Sequence, residues 1–443
     1  MKTPSLANIA IVVQRWHPGI VGGSEALAWQ YAQLLREDFA VELLTSTAKD
    51  YVTWNNELAA GRERHDGVDV VRFPVAFPRS PYWHELHRRL LDRVARNASA
   101  EPMQRIGWRA PLQEEFVRMQ GPHCPELIEH LGRHHSAYAA IIFCTYLYPT
   151  AYFGAGAVPA AKRIFVPTLH DEPPACLEIF RERAEQAAEI IWLSAAERDN
   201  ARKLWGIERG DVVGMAVDTT PAVPEKRREP YLLYCGRIDE SKGCKLMLDA
   251  FLAYKKRDRS ALKLVLTGSD HLGVPKHPDI EFLGFVPGKR KAALMAGACA
   301  LIQPSPFESF SIVLLEAMAQ RAPVLANGQC NVLREHVEQS GGGFVFDGER
   351  GLSELIARIV KLGSDERMRI GKAGRDYVVA RFAEQRVRAA LRTTIDRIVR
   401  PETQRPNASG GTGSPPSNQP GKKRASKRAP PNTRERSTTK SPP

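Results

Sequence analysis

Two series of short apolar segments, alternating with helical patterns and divided by a proline-rich break, most limit what this 443-residue chain can fold into. In the first series the β-rich runs are Asn8–Gln14, Val41–Ser46, Val68–Val75, Ala139–Thr145, Arg163–Leu169, Ile190–Ser194 and Val212–Val217. Helical patterns lie between several of them, notably Ser24–Arg36 and Ala195–Trp205. Apolar strands separated by helices imply a mostly parallel sheet covered on both faces. Residues 1–217 are therefore expected to form one doubly wound domain. Residues 218–230, with Pro221, Pro224 and Pro230 in a charge cluster, read as a linker.

The second series has strands at Tyr231–Gly236, Leu262–Gly268, Ile280–Val286, Cys299–Pro304, Val324–Ala326 and Gly343–Phe346. Helices are predicted at 244–257, 289–297, 312–320, 331–339, 351–362 and 365–381. This gives a second domain over 231–382, with a closing helix at 383–400. Two such domains in tandem bind ligands in the cleft between them, at the carboxyl ends of strands.

The formal charge of +13 is unevenly placed. Residues 401–443 hold nine Lys/Arg and two Glu, a local +7, which leaves the first 400 residues only mildly basic. No specific nucleic-acid partner is expected. The tail is rich in Pro, Ser, Gly and cations, lacks large apolar residues, and is predicted to be disordered. Asn407 heads a formal glycosylation triplet, read here as chance. The seven cysteines form no CxxC pair and are expected to be buried reduced thiols. No apolar run reaches the roughly 18 residues of a membrane span. The run Ile9–Val13 is too short for a signal sequence, so the cytoplasm is the expected location.

Chemistry concentrates in two elements of the second domain. Gly236-Arg237-Ile238-Asp239-Glu240-Ser241-Lys242-Gly243 follows an apolar strand and precedes a helix. Gly236 permits a sharp turn, and Arg237 and Lys242 put two cations at the strand's carboxyl end. A departing diphosphate needs such cations because negative charge grows on it. A merely solvated surface turn is the competing reading. Pro304-Ser305-Pro306-Phe307-Glu308-Ser309-Phe310-Ser311 leads from a buried strand into an apolar helix carrying Glu316. First-turn amides of that helix attract anions. Glu308 lies before the helix, nearer a sugar, and Glu316 stands where both ribose hydroxyls could reach it. The competing reading makes both acids simple helix-start residues favoured by the helix dipole.

In the first domain, Gly22-Gly23-Ser24-Glu25 follows the first strand, and His170-Asp171 follows Arg163–Leu169. The glycine pair lets a loop pass close to sugar and phosphate, and Ser24 is expected to cap the next helix. His170 suits sugar binding or acid–base work, with a structural role as its alternative.

Gly-Arg-x4-Lys-Gly, followed roughly 65 residues later by Glu-x7-Glu, resembles the retaining glycosyltransferases of family 4. The resemblance covers about residues 8–399 and is strongest in the C-terminal half. It implies a GT-B fold, two Rossmann-like domains facing across a cleft. It implies Arg237 and Lys242 as diphosphate-binding cations, Glu308 on the donor sugar, Glu316 on the ribose, and Ser309, Phe310 and Ser311 as the loop whose amides hold the donor. Gly22, Gly23 and Gly236 join the donor-binding set, and Glu308, His170, Arg237 and Lys242 form the catalytic set. Pro323-Val324 matches a family element, Glu335 a later acid supporting the donor loop, and Val217-Asp218 the domain junction. Arg321, and serine at 309 and 311, depart from positions where the family usually or often has Gly. Arg321 is expected to end its helix with a charge suited to the helix dipole.

The implied reaction transfers a hexosyl unit from a nucleoside-diphosphate sugar to a glycan or glycolipid with retention, in cell-envelope or exopolysaccharide synthesis. Attack is from the front face, the departing phosphate helping to deprotonate the acceptor. Without an Asp-x-Asp motif at a donor-site strand end, no cofactor and no essential metal is expected. A nucleotide-sugar epimerase and a silent sugar-nucleotide-binding scaffold are the alternatives.

Residues 79–120 interrupt the first domain. Leu86, Leu90 and Val94 recur at i and i+4 among His87, Arg88, Arg89, Arg93 and Arg96, flanked by Trp83 and Trp108. A basic amphipathic helix of this kind suits peripheral contact with an anionic membrane, to which the basic tail would add attraction. The alternative is a cleft-lining helix with a solvated face.

Overall fold

The computed structural model of the chain describes residues 6–20 and 22–400. The basic tail and Asn407 lie outside the described residues. Eight strands form the first sheet: β1 Asn8–Val12, β2 Ala40–Ser46, β3 Gly61–His65, β4 Val68–Phe73, β5 Ala140–Cys144, β6 Arg163–Val166, β7 Glu189–Trp192 and β8 Asp211–Val212. Six form the second: β9 Tyr231–Cys235, β10 Lys263–Thr267, β11 Ile280–Phe282, β12 Ala300–Gln303, β13 Val324–Asn327 and β14 Gly343–Phe346. The orders are β3-β4-β2-β1-β5-β6-β7-β8 and β11-β10-β9-β12-β13-β14. All pairings are parallel except β3 with β4.

The apolar strand sequences follow from burial on both faces. In β1, Ile9 and Ile11 enter one core cluster while Ala10 and Val12 enter another. In β9, Tyr231, Leu233 and Cys235 face one way, and Leu232 and Tyr234 the other. All seven cysteines are buried and unpaired.

Several elements differ from expectation. β3 is polar and exposed along its length, so it carries no apolar pattern. The run Val212–Val217 yields only the short β8. Gly214 has φ +76° and breaks the strand, while Val213, Met215, Ala216 and Val217 are buried in a cluster holding residues of both lobes. Their apolar character reflects burial at the junction rather than sheet pairing. Tyr31 donates to the Gly214 carbonyl at 2.8 Å, and the Val217 amide donates to that of Phe382, also at 2.8 Å. β6 stops at Val166 before Pro167, and Thr168 takes a positive φ of 55°.

Helix Glu384–Val399 returns to the amino-terminal lobe. Arg388 and Arg392 reach Asp38, Arg397 pairs with Glu189 and Asp211, and the Thr394 hydroxyl donates to Asp211 at 2.6 Å.

Within residues 79–120 the helix spans Trp83–Arg96. Its apolar stripe is not available to lipid. Trp83 and Leu90 are buried in the lobe's core, with Leu86 and Val94 packed beside them. On the outer side, Arg88 pairs with Glu85 and Asp92, and Arg89 with Glu85. Two of the helix's four arginines are thus paired with its two acids, and Arg93 and Arg96 have no salt bridge among the described residues. No helix among the described residues is long and apolar enough to cross a membrane.

Candidate active site

The second sheet has the strand order 3-2-1-4-5-6 in its own numbering, with its topological switch between β9 and β12. At such a switch the following loops diverge and leave a crevice. The loop after β9 carries Arg237 and Lys242, and the loop after β12 carries Glu308. The two meet because Gly243 has no side chain. Its φ is +71°, and a Cβ there would lie 2.2 Å from the Pro304 carbonyl oxygen.

Lys242 donates from Nζ to Glu308 Oε1 at 2.8 Å. Asp239, quoted within the motif but given no role from sequence, organises the first loop. It accepts from the Lys242 amide at 2.9 Å and the Ser241 hydroxyl at 2.6 Å, and it pairs with Arg237. Burial raises its pKa, but Ser241 and Arg237 outweigh that and hold the carboxyl below its ordinary value. Arg237 also donates to the Tyr51 hydroxyl of the amino-terminal lobe at 3.1 Å.

Glu308 and Glu316 are set apart by their partners. Both oxygens of Glu316 accept from Lys291 Nζ at 2.7 Å. Lys291 lies on helix Gly288–Gly297, and nothing in the sequence pattern links it to Glu316. Helix Ile312–Ala319 begins at Ser311 without a side-chain cap. Ser311 has φ +61°, and its hydroxyl accepts from Gln303 Nε2 at 2.9 Å. That left-handed backbone is the physical reason Gly suits the position. Arg321 likewise has φ +64° where the chain leaves the same helix. Its position is set by the backbone turn, and among the described residues no salt bridge engages it.

The Phe310 side chain is 2% exposed and packs against His336 and Phe382, so only its backbone can face a ligand. His336 was not singled out from the sequence. Wholly buried, it bonds the Phe310 carbonyl through Nε2 and the Tyr377 hydroxyl through Nδ1, each at 2.9 Å. Burial drives its pKa down to about 4, against the pull of the Phe310 carbonyl. The imidazole thus braces the donor loop as a neutral group.

The Ser309 carbonyl accepts from Ser194 Oγ across the lobes at 3.3 Å. Glu335 does not contact the donor loop by a hydrogen bond among the described residues. It accepts from the Ala196 amide at 2.5 Å, at the start of helix Ala195–Trp205 in the opposite lobe. Its acid favours that helix end and ties the lobes together.

In the amino-terminal lobe His170 follows β6. Its Nδ1 lies 3.5 Å from Glu172 Oε1, and Glu172 accepts from the Tyr146 hydroxyl at 2.7 Å. Burial opposes protonation of His170, but Glu172, with Glu308 further off, outweighs it and raises the imidazole pKa. Glu172 was missed from sequence although it lies two residues after His170. Glu197, also missed, is wholly buried and accepts from the amides of Leu169 and Leu193 at 2.6 and 2.5 Å. Burial pushes it up to about 7 against those bonds. It fixes the chain just before His170.

Gly22 stands at the start of helix Gly23–Leu35, and Ser24 does not cap it. Ser24 instead accepts from Gln14 and donates to Glu25 Oε2 at 2.9 Å. Buried Glu25 pairs with Arg15 at 2.5 Å. A Cβ on Gly22 would lie 2.2 Å from Glu25 Oε2, so that glycine makes room for the acid, while Gly23 is open.

The structure therefore brings Arg237, Lys242, Glu308 and His170 to one cleft, with Ser309 and Ser311 on its donor-side loop. Glu316 is held by Lys291.

Residues 218–377 match the family described as glycosyl transferases group 1. The alpha-1,3/1,6-mannosyltransferase alg-2 of Neurospora crassa is 27% identical over 204 residues, which cover 38% of this chain and 43% of that one. The phosphatidyl-myo-inositol mannosyltransferase of Mycobacterium leprae is 36% identical over 127 residues, 26% of this chain and 33% of that one. The chain thus matches less than half the length of these two curated relatives. Among solved structures, sucrose-phosphate synthase from Thermosynechococcus elongatus matches with a TM-score of 0.63 at 16% identity, covering 87% of this chain and 98% of that one. Anabaena HepE in complex with UDP and glucose matches with a TM-score of 0.61 at 15% identity, covering 88% and 99%. These two likenesses are of fold.

Proposed function

We propose, from the premise that the chain carries a group 1 glycosyl transferase domain in a GT-B fold, that it moves a hexosyl unit from a nucleoside-diphosphate sugar to a glycan or lipid-linked acceptor with retention of configuration. One observation carries the proposal: the loop bearing Arg237 and Lys242 meets the loop bearing Glu308 at the switch point of the second sheet, with His170 facing them from the other lobe. Relatives named as mannosyltransferases and a fold neighbour solved with UDP and glucose favour mannose or glucose as the sugar.

In this scheme the diphosphate lies against Arg237, Lys242 and the open start of helix Ile312–Ala319. Lys242 exchanges part of its bond to Glu308 for phosphate oxygen. Glu308 is then released toward the sugar hydroxyls, and Glu316, held by Lys291, accepts from the ribose. As the glycosidic bond breaks, the bonding pair leaves with the diphosphate, where the two cations stabilise it. The departing phosphate oxygen takes the proton of the acceptor hydroxyl as that oxygen bonds the anomeric carbon on the same face. Glu172 orients His170 through Nδ1, leaving the other ring nitrogen for a sugar hydroxyl. The charge is carried by protein cations and amides, so no metal is required.

Incubation of the purified protein with UDP- and GDP-hexoses tests the proposal. Release of nucleoside diphosphate with an axial product linkage from an axial donor supports it. No release from any donor would mark a binding scaffold, and an epimerised donor would mark an epimerase.

A further inference from the structure

We propose that the cleft face of the amino-terminal lobe holds an anion subsite centred on Arg79, which receives a phosphate or carboxylate group of the acceptor. The inference rests on the glycosyl-transfer reading for calling that ligand an acceptor.

Arg79 is partly buried, its guanidinium carbon 4.7 Å from the Trp83 ring centre and 5.9 Å from that of Trp54. Its Nε donates to the Gln120 carbonyl at 3.2 Å. Among the described residues it has no salt bridge, and no acceptor engages its two terminal nitrogens. Asp50 acts on it electrostatically but does not touch it, and a half-buried cation without a direct partner is costly, so such groups are normally paired or fully bonded. Several other arginines of this lobe obey that rule, although Arg105, partly buried with only its Nε bonded to the Ala100 carbonyl, does not. Arg15 pairs with Glu25 and Arg72 with Glu63. Arg163 and Arg209 lack an acid but spend their terminal nitrogens on carbonyl oxygens. Unlike those four, Arg79 keeps its two-pronged donor edge open, the geometry that takes phosphate or carboxylate.

Its place in the fold fits a substrate site. The first sheet has its own topological switch between β1 and β5. Tyr148, shortly after β5, stacks edge-on against Trp54 at 5.4 Å. Trp83 stacks on His87 at 4.7 Å with an interplanar angle of 13°. Arg79 and Glu172 both act electrostatically on His87, and Glu172 pairs with His170. A row of contacts therefore leads from Arg79 over the buried Trp83 to His87, within electrostatic reach of the Glu172 that pairs with His170. An acceptor anchored by its anion at Arg79 would lie along it with a hydroxyl toward the donor sugar. This also gives a use to the segment inserted at 79–120.

The test measures thermal stability of the full chain with inorganic phosphate, glucose 6-phosphate, glucuronate or glucose, the donor site being saturated with UDP or GDP. The proposal expects at least one anion to raise the melting temperature by about 2 °C or more while glucose does not. Arg79→Gln should weaken that anion at least tenfold, and Arg79→Lys should weaken it less. The nucleotide's own stabilisation should be unchanged in both variants. An anion shift that persists in Arg79→Gln, or none in the wild type, overturns the subsite. Should neither nucleotide bind, the donor reading falls, and the anion comparison without nucleotide still decides the subsite. Should Arg79→Gln not fold, Arg79→Lys decides it: undiminished anion affinity there is against the proposal.

Discussion

Lys242 and Glu308 form an ion pair across the switch point of the second sheet, Nζ to Oε1 at 2.8 Å, although 66 residues separate them in the chain. The contact joins the group proposed to stabilise the leaving diphosphate to the group proposed to hold the sugar. Lys242→Ala should lower transfer by at least about 100-fold, the usual scale for losing one preorganised charge at a developing anion. Because the pair is partly exposed, stability should fall by no more than about 1 kcal/mol. Turnover near the wild-type level, with the melting curve intact, would defeat the assignment of Lys242.

His336 makes the donor loop sensitive to acid. Burial holds its native pKa at about 4, whereas an unfolded histidine titrates near 6.5. Between those values the unfolded chain binds a proton that the native state refuses. Stability from this group is therefore complete above about pH 6.5 and is lost as the pH falls toward 4, by up to about 3 kcal/mol. His336→Gln removes the titration. Denaturant melts of the variant and wild type at pH 7 and pH 4.5 should show a smaller acid loss in the variant. Equal losses would rule out His336 as the source.

Glu335 caps a helix of the other lobe. Glu335→Ala should cost about 1 kcal/mol, the usual value of a helix-start acceptor. Amide hydrogen exchange should report it locally, with faster exchange at Ala196 and the first turn of helix Ala195–Trp205. Unchanged exchange there would show that the contact does not persist in solution.

Arg321 occupies left-handed backbone at φ +64°. A non-glycine residue is strained there by roughly 1 kcal/mol. Arg321→Gly should raise the unfolding free energy by about that much and leave activity unaltered. A loss of stability would mean that the side chain contributes more than the backbone costs.

Transfer should persist in EDTA at close to the untreated rate, because Arg237, Lys242 and helix amides are proposed to carry the leaving charge. Loss of activity in EDTA, restored by magnesium or manganese, would contradict that division of labour.

Much of the architecture was written locally. The continuous apolar runs of β1, β5, β9 and β12 announce strands buried on both faces, and their alternation with helices dictates parallel sheets. The Gly236–Gly243 element and the Glu308–Glu316 spacing marked the loops that flank the second switch point, because turn chemistry and helix starts depend on neighbours in sequence. Periodicity misled where burial had another cause. Val213–Val217 is apolar because it crosses the lobe junction, and helix Trp83–Arg96 is amphipathic because its stripe enters the core.

What tertiary structure alone decided is which local features meet. Lys291 on Glu316, His336 on Phe310, Glu335 on Ala196 and Tyr51 on Arg237 join residues 25, 26, 139 and 186 positions apart. No local propensity encodes such contacts. They follow from how the sheet faces and the two lobes pack, which no single segment determines. Sequence by itself determined two doubly wound domains and the cations and acids at their strand ends. The packing of one lobe against the other turned those residues into a single cleft.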